Sequence, residues 1–123
     1  MHPFGATLDA DDTPAAAALL AEDVVFHSPI ILTPFAGRSA AGAVLAAVSR
    51  VFDDFADEGE LTSAGGRDHA LLVRACVDDK DIQGCDVLRH DQDGRVVQLT
   101  VMVRPLTAAL ALRDRMAAEL AQT

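Results

Sequence analysis

The sequence predicts an α+β domain with helices packed on one face of an antiparallel sheet. Helical patterns fill the first part of the chain, and the apolar period changes to two from about residue 60. Two tight polar turns, Asp78-Asp79-Lys80-Asp81 and Asp91-Gln92-Asp93-Gly94, join three successive strand patterns as hairpins. A last helical stretch follows Pro105. Runs of helices followed by runs of strands argue for α+β rather than for an alternating α/β chain. The 123 residues make one domain, spanning 1–123.

Residues 3–10 suit a short helix, with Pro3 tolerated in its first turn. Thr13 is a natural cap and Pro14 suits a first helical position, so an alanine-rich helix is expected from there to Ala21. Val24-Val25-Phe26 has the β-branched and aromatic content of a short strand. Pro29 and Pro34 impose extended or turn geometry on the residues before them. Ser39 is positioned to cap a helix of about four turns. Its stripe is Leu45, Val48, Phe52 and Phe55, and the acidic residues Asp53, Asp54, Asp57 and Glu58 should end it near Asp54 or Phe55. Residues 60–63 read as a weak strand and residues 64–68 as a turn. Strands are expected over 69–77, 82–90 and 96–104. A closing helix over 106–121 should present Leu112, Met116 and Leu120 on one face.

Composition excludes several function classes. Half of the residues are apolar but aromatics make up only 4%, so the core is aliphatic with five Phe as its large fillers. A net charge of −9 opposes binding to a phosphate backbone or to an anionic membrane, so neither nucleic acid nor a membrane is expected as a partner. Neutral ligands meet no such barrier. The first residues show neither a basic segment nor a long apolar run, and the chain has only two Cys. A cytoplasmic protein with reduced thiols is therefore expected.

Taken with the order of elements, the stretch Leu20-Ala-Glu-Asp-Val-Val-Phe-His-Ser-Pro29 and the strand Asp93-Gly-Arg-Val-Val-Gln-Leu-Thr-Val101 resemble the NTF2-like superfamily. The chain is most similar to its SnoaL-like and ketosteroid isomerase-like branch. The resemblance covers essentially all of the chain and implies a cone-shaped, curved antiparallel sheet wrapped by helices around an apolar pocket. It also implies a dimer formed through the outer face of the sheet. Ketosteroid isomerase uses a tyrosine and a neutral aspartic acid as hydrogen-bond donors and a second aspartate as base. By resemblance the tyrosine falls on Phe4, the base on Ser28 and the protonated aspartate on Asp86. Phe4 has no hydroxyl, and Ser28 cannot take a carbon-bound proton without an activating partner. An ordinary ketosteroid isomerase is therefore not expected.

The candidate catalytic residues are Asp86, His27 and Ser28. Strand parity puts Ile82, Gly84, Asp86, Leu88 and His90 on one face. If that face lines the cone, Asp86 is a carboxyl in apolar surroundings with a raised pKa, able to donate to or accept from a ligand. The bland reading is an Asp paired with Arg74 or Arg104. His27 and Ser28 should point to opposite faces. The resemblance favours Ser28 as the inward one, while a bend at Pro29 could turn His27 inward. A Ser28-His27-Asp86 triad can be written, but no nucleophile elbow accompanies it. A metal site is not expected, because His27, His69 and His90 show no H-x-x-x-H spacing. No cofactor is expected either. Cys76 and Cys85 fall on one face of neighbouring strands and read as buried small hydrophobes.

Candidate pocket walls are Phe4, Phe26, Phe35, Phe52, Phe55, Leu71, Val73, Leu88, Leu99 and Val101. The other face of the last strand, with Gln98, Thr100, Met102 and Arg104, is the candidate dimer surface. The sequence thus points to a homodimer that binds a small, largely neutral and hydrophobic molecule. Any chemistry would be acid–base chemistry of isomerase, cyclase or hydratase type through Asp86. The competing reading is a non-catalytic binding or assembly module with a filled or vestigial pocket.

Overall fold

The protein is represented by a computed structural model that describes residues 2–121. Helix α1 (Pro3–Asp9) starts at a proline, and the Nδ1 of His2 accepts the Phe4 N–H at 3.0 Å to cap it. Helix α2 (Thr13–Ala18) is capped by Asp12, whose carboxylate accepts the Ala15 N–H at 3.1 Å. Thr13, expected as the cap, therefore lies inside the helix, and the helix stops short of Ala21. Strand β1 (Leu20–His27) begins earlier than Val24 because Leu20 pairs with Val96 across the sheet and is fully buried. Sheet pairing overrides the alanine preference for helix there.

A two-residue strand β2 (Phe35–Ala36), not foreseen, pairs with β1. Helix α3 (Arg38–Val51) starts after Gly37 at φ +95°, with no side-chain cap, so Ser39 does not serve as one. Its first turn is tied down by Arg38, whose Nε and Nη2 donate to the Leu20 carbonyl at 3.0 and 2.9 Å. The helix ends at Val51, not near Asp54 or Phe55, because Phe52 is extended and Asp53 already pairs with Cys76. The acidic run continues as strand β3 (Asp53–Thr62), longer than the expected 60–63. It bulges twice, between Asp53 and Ala56 and between Asp57 and Gly59.

Strands β4 (Asp68–Val77), β5 (Lys80–His90) and β6 (Val96–Arg104) follow as an antiparallel meander, and α4 (Leu106–Leu120) closes the chain. The six-stranded sheet has the order β2-β1-β6-β5-β4-β3 and is curved and unclosed. Among the described residues, β1 and β6 form the one parallel pair, which local pattern does not reveal. On β4, Leu71, Val73, Ala75 and Val77 are buried, and on β5 so are Ile82, Gly84, Asp86 and Leu88. These residues form the concave face on which α1, α3 and α4 lie, consistent with α+β packing. Among the described residues, no helix is long and apolar enough to cross a membrane.

Candidate functional site

A cavity of about 490 Å³ lies between the concave face and the helices. Strand periodicity supplies its floor, because alternate residues in the middle of β4, β5 and β6, such as Val73, Gly84, Asp86 and Val101, point into it. Phe4, Phe26, Phe35, Phe52, Phe55, Val73, Leu99 and Val101 all line it. Leu71 and Leu88, expected as walls, do not. Both are fully buried in the main hydrophobic cluster and pack among its side chains instead. Pattern reasoning missed Leu112 and Met116 of α4, which also line the cavity. Their helical stripe was visible, but the surface it faces was not.

Asp86 sits in this apolar floor, with Leu71 on one side and Val101 on the other across the ladders. The residue is 6% exposed, and among the described residues its carboxyl has no hydrogen-bond or ion-pair partner, so its oxygens face the open cavity and are not sealed into the core. Burial pushes its pKa from 3.8 up to about 7. The pairing with Arg74 or Arg104 does not form. Arg74 is exposed on the convex face, and Arg104 donates to Gln83 Oε1 at 3.2 Å.

Ser28 and His27 part company at the end of β1. Ser28 lines the cavity, but its hydroxyl is engaged in a local turn. Its Oγ accepts from the Ile30 and Ile31 N–H groups at 3.3 and 3.1 Å and donates to the Ile31 carbonyl at 3.3 Å. His27 points to the convex face, where its Nε2 accepts from the Gln98 amide at 3.1 Å. It does not line the cavity that holds Ser28 and Asp86, so the three do not form a triad. Four carboxylates, Asp9, Asp11, Asp53 and Asp54, stand around the cavity as well, and all four are exposed. Asp53 and Asp54, expected at the end of a helix, reach the cavity because β3 starts at Asp53.

The cysteines are half-buried on the convex face rather than buried. Burial, with the Asp86 carboxylate adding to it, raises the Cys85 pKa; a hydrogen bond to Asp81 raises that of Cys76.

A second cluster is brought together only by folding. One ring nitrogen each of His2, His69 and His90 lies within 4.8 Å of the others. The three residues are too far apart in sequence to show ligand spacing, and His27 is not among them. Burial lowers the His2 pKa, and the neighbouring His69 and His90 add to the effect.

Residues 4–99 match the model of the SnoaL-like domain family. A crystal structure of a steroid delta-isomerase from Pseudomonas aeruginosa is 36% identical, with a TM-score of 0.89 over 99% of this chain and 94% of that one. An uncharacterized bacterial protein with a cystatin-like fold from Silicibacter pomeroyi is 34% identical, with a TM-score of 0.87 over 96% and 85% of the two chains. The epoxide hydrolase/cyclase-like enzyme SalBIII, 13% identical with a TM-score of 0.70 over 85% and 87%, shares the fold. No curated protein sequence matches.

Proposed function

This chain belongs to the SnoaL-like family of NTF2-like domains, and from that premise we propose that it binds a small, largely neutral, apolar molecule carrying a carbonyl or hydroxyl group. The observation that carries this reading is Asp86, a buried and unpaired carboxyl aimed into an apolar cavity. A buried polar group without a partner is costly, and a ligand oxygen would remove that cost. Exposed carboxylates at the mouth disfavour anionic ligands by like-charge repulsion.

With a pKa of about 7, Asp86 exchanges its proton near neutral pH. In its neutral form, Oδ–H donates to the ligand oxygen and polarises the carbonyl. In its ionised form, the same carboxylate takes a proton from the carbon next to that carbonyl and returns it to a conjugated carbon. Bonds and protons balance in that sequence, which amounts to an isomerisation, and similar proton delivery would serve a cyclisation. The likeness to a steroid delta-isomerase supports this class of reaction.

A second reading has its own support. Phe4 offers no hydroxyl, and the Ser28 hydroxyl is taken up by its turn, so one carboxyl stands without the helpers that the isomerase uses. A module that binds but does not turn over fits those facts. The test is to titrate a neutral β,γ-unsaturated steroid ketone into the protein between pH 5 and pH 9 and to follow conjugation by ultraviolet absorbance. Binding through neutral Asp86 weakens as pH rises through about 7, and Asp86→Asn abolishes that slope. Conjugated product lost in Asp86→Asn supports the enzyme, and binding without product supports the module. Binding that is independent of pH and of Asp86→Asn refutes both.

We further propose that the convex face pairs with a second copy around Gln98, Thr100, Met102 and Arg104. Met102 is 52% exposed there, and a shallow groove joins Thr100 and Met102 to Ile31 and Leu32. Sedimentation of the wild type and of Met102→Asp checks this, with the variant expected to shift towards monomer.

A further inference from the structure

We propose that His2, His69 and His90 form a site for one borderline divalent transition cation, of the zinc or cobalt kind, separate from the Asp86 cavity. Three imidazoles with no carboxylate among the candidate ligand atoms suit such ions and not calcium or magnesium, which require oxygen ligands.

Two of the ligands are held by the sheet. His69 and His90 lie on neighbouring strands, and strand parity turns both towards the concave face. The His90 Nδ1–H donates to the Arg67 carbonyl at 3.0 Å, which leaves the Nε2 lone pair of the neutral ring free. His69 Nδ1 is 3.2 Å from Thr62 Oγ1 and 3.9 Å from Glu60 Oε2. The Thr62 hydroxyl accepts from Nδ1 in the tautomer that leaves Nε2 open for a metal, the one that coordination through Nε2 requires. A carbonyl or carboxylate behind the imidazole is the usual outer support of a metal-bound histidine.

The third ligand comes from the chain preceding α1. His2 packs against both rings, with centroids 4.5 Å from His69 and 5.1 Å from His90. Its Nδ1 accepts the Phe4 N–H, so the neutral ring carries its proton on Nε2. Coordination through Nε2 needs the other tautomer and therefore releases the cap of α1. Nitrogens on one tetrahedral zinc lie about 3.3 Å apart, against the 4.8 Å within which these three now sit. His2, outside any helix or strand, is the ligand placed to close that difference. The fourth coordination position is left for water or an outside ligand. Because Phe4 is both the residue capped by His2 and a wall of the cavity, loading the site also touches the pocket.

The site is tested on the whole chain, freed of any histidine tag and treated with chelator. Co²⁺ is added while visible d–d absorption is followed, and Zn²⁺ binding is measured by calorimetry. One equivalent is expected to bind. His69→Gln and His90→Gln each remove a held ligand and should weaken binding by more than the roughly 10–100-fold typical of outer supports. His2→Ala should cost about 10-fold, because coordination by His2 must first give up the Nδ1 cap of α1, and His27→Gln should change nothing. Should the strand variants fail to fold, the wild type is followed by imidazole ¹⁵N resonances, where Zn²⁺ must shift His2, His69 and His90 and leave His27 in place. Absence of uptake by the wild type overturns the proposal. So does uptake that survives both strand variants, or a Zn²⁺ shift confined to His27.

Discussion

Replacing Asp86 by Asn gives the sharpest test of how the site is built. The carboxyl has a pKa of about 7 in the folded protein against an ordinary value of 3.8. Below the lower value both the folded and unfolded chains hold the proton, and burial is tolerated. Between the two values the unfolded chain has lost its proton while the folded chain keeps it, so stability falls as pH rises. The loss is complete once pH passes the folded value. At about 1.4 kcal/mol per pKa unit, the fall amounts to at most about 4 kcal/mol between pH 4 and pH 8. The amide has nearly the shape of the carboxyl and does not ionise in this range. Urea unfolding of both proteins at intervals from pH 4 to pH 8.5 isolates this group, because all other carboxylates cancel in the difference. Wild type minus Asp86→Asn should decline by several kcal/mol over that interval, most of it between pH 5 and pH 7. Two parallel stability curves would show that Asp86 is hydrated or paired in solution and is not an uncompensated carboxyl in the cavity.

Three other substitutions address the walls. Phe4→Ala removes a fully buried ring and should cost about 3–5 kcal/mol in chemical denaturation while enlarging the cavity, which larger ketone probes would reveal by tighter binding. Gly84→Ala places a methyl 3.0 Å from Val73 Cγ2 on the floor of the cavity; a loss of about 1–3 kcal/mol is expected, together with weaker ligand binding by calorimetry. Ser28→Ala removes the hydroxyl of a turn and should cost about 1 kcal/mol in thermal or urea unfolding. It should leave the pH dependence of ligand binding unchanged, and a lost turnover in this variant would restore Ser28 to a catalytic role.

Features governed by local periodicity can be read from the residues alone. Alternation along residues 82–90 is enough to turn Asp86 inward, because the side-chain period of a strand is two whatever the strand packs against. The hairpins at Asp78-Asp79 and Asp93-Gly94 and the closing helix follow for similar reasons. Even the opposite facing of His27 and Ser28 was legible. Features that depend on which surfaces meet are set only by the assembled fold. Helix α3 ends at Val51 because Asp53 finds a pairing partner in Cys76, a contact that no window around residue 53 contains. β1 lies parallel to β6 because an early segment is brought back beside the last strand. Leu71 and Val73 have the same parity and chemistry, yet one is packed into the core and the other faces open space, since only the helices laid above them decide where volume is left unfilled. For the same reason His2, His69 and His90 carry no recognisable spacing. Their convergence depends on the register of β4 with β5 and on where the start of α1 is docked, and each of these is a property of the assembled fold.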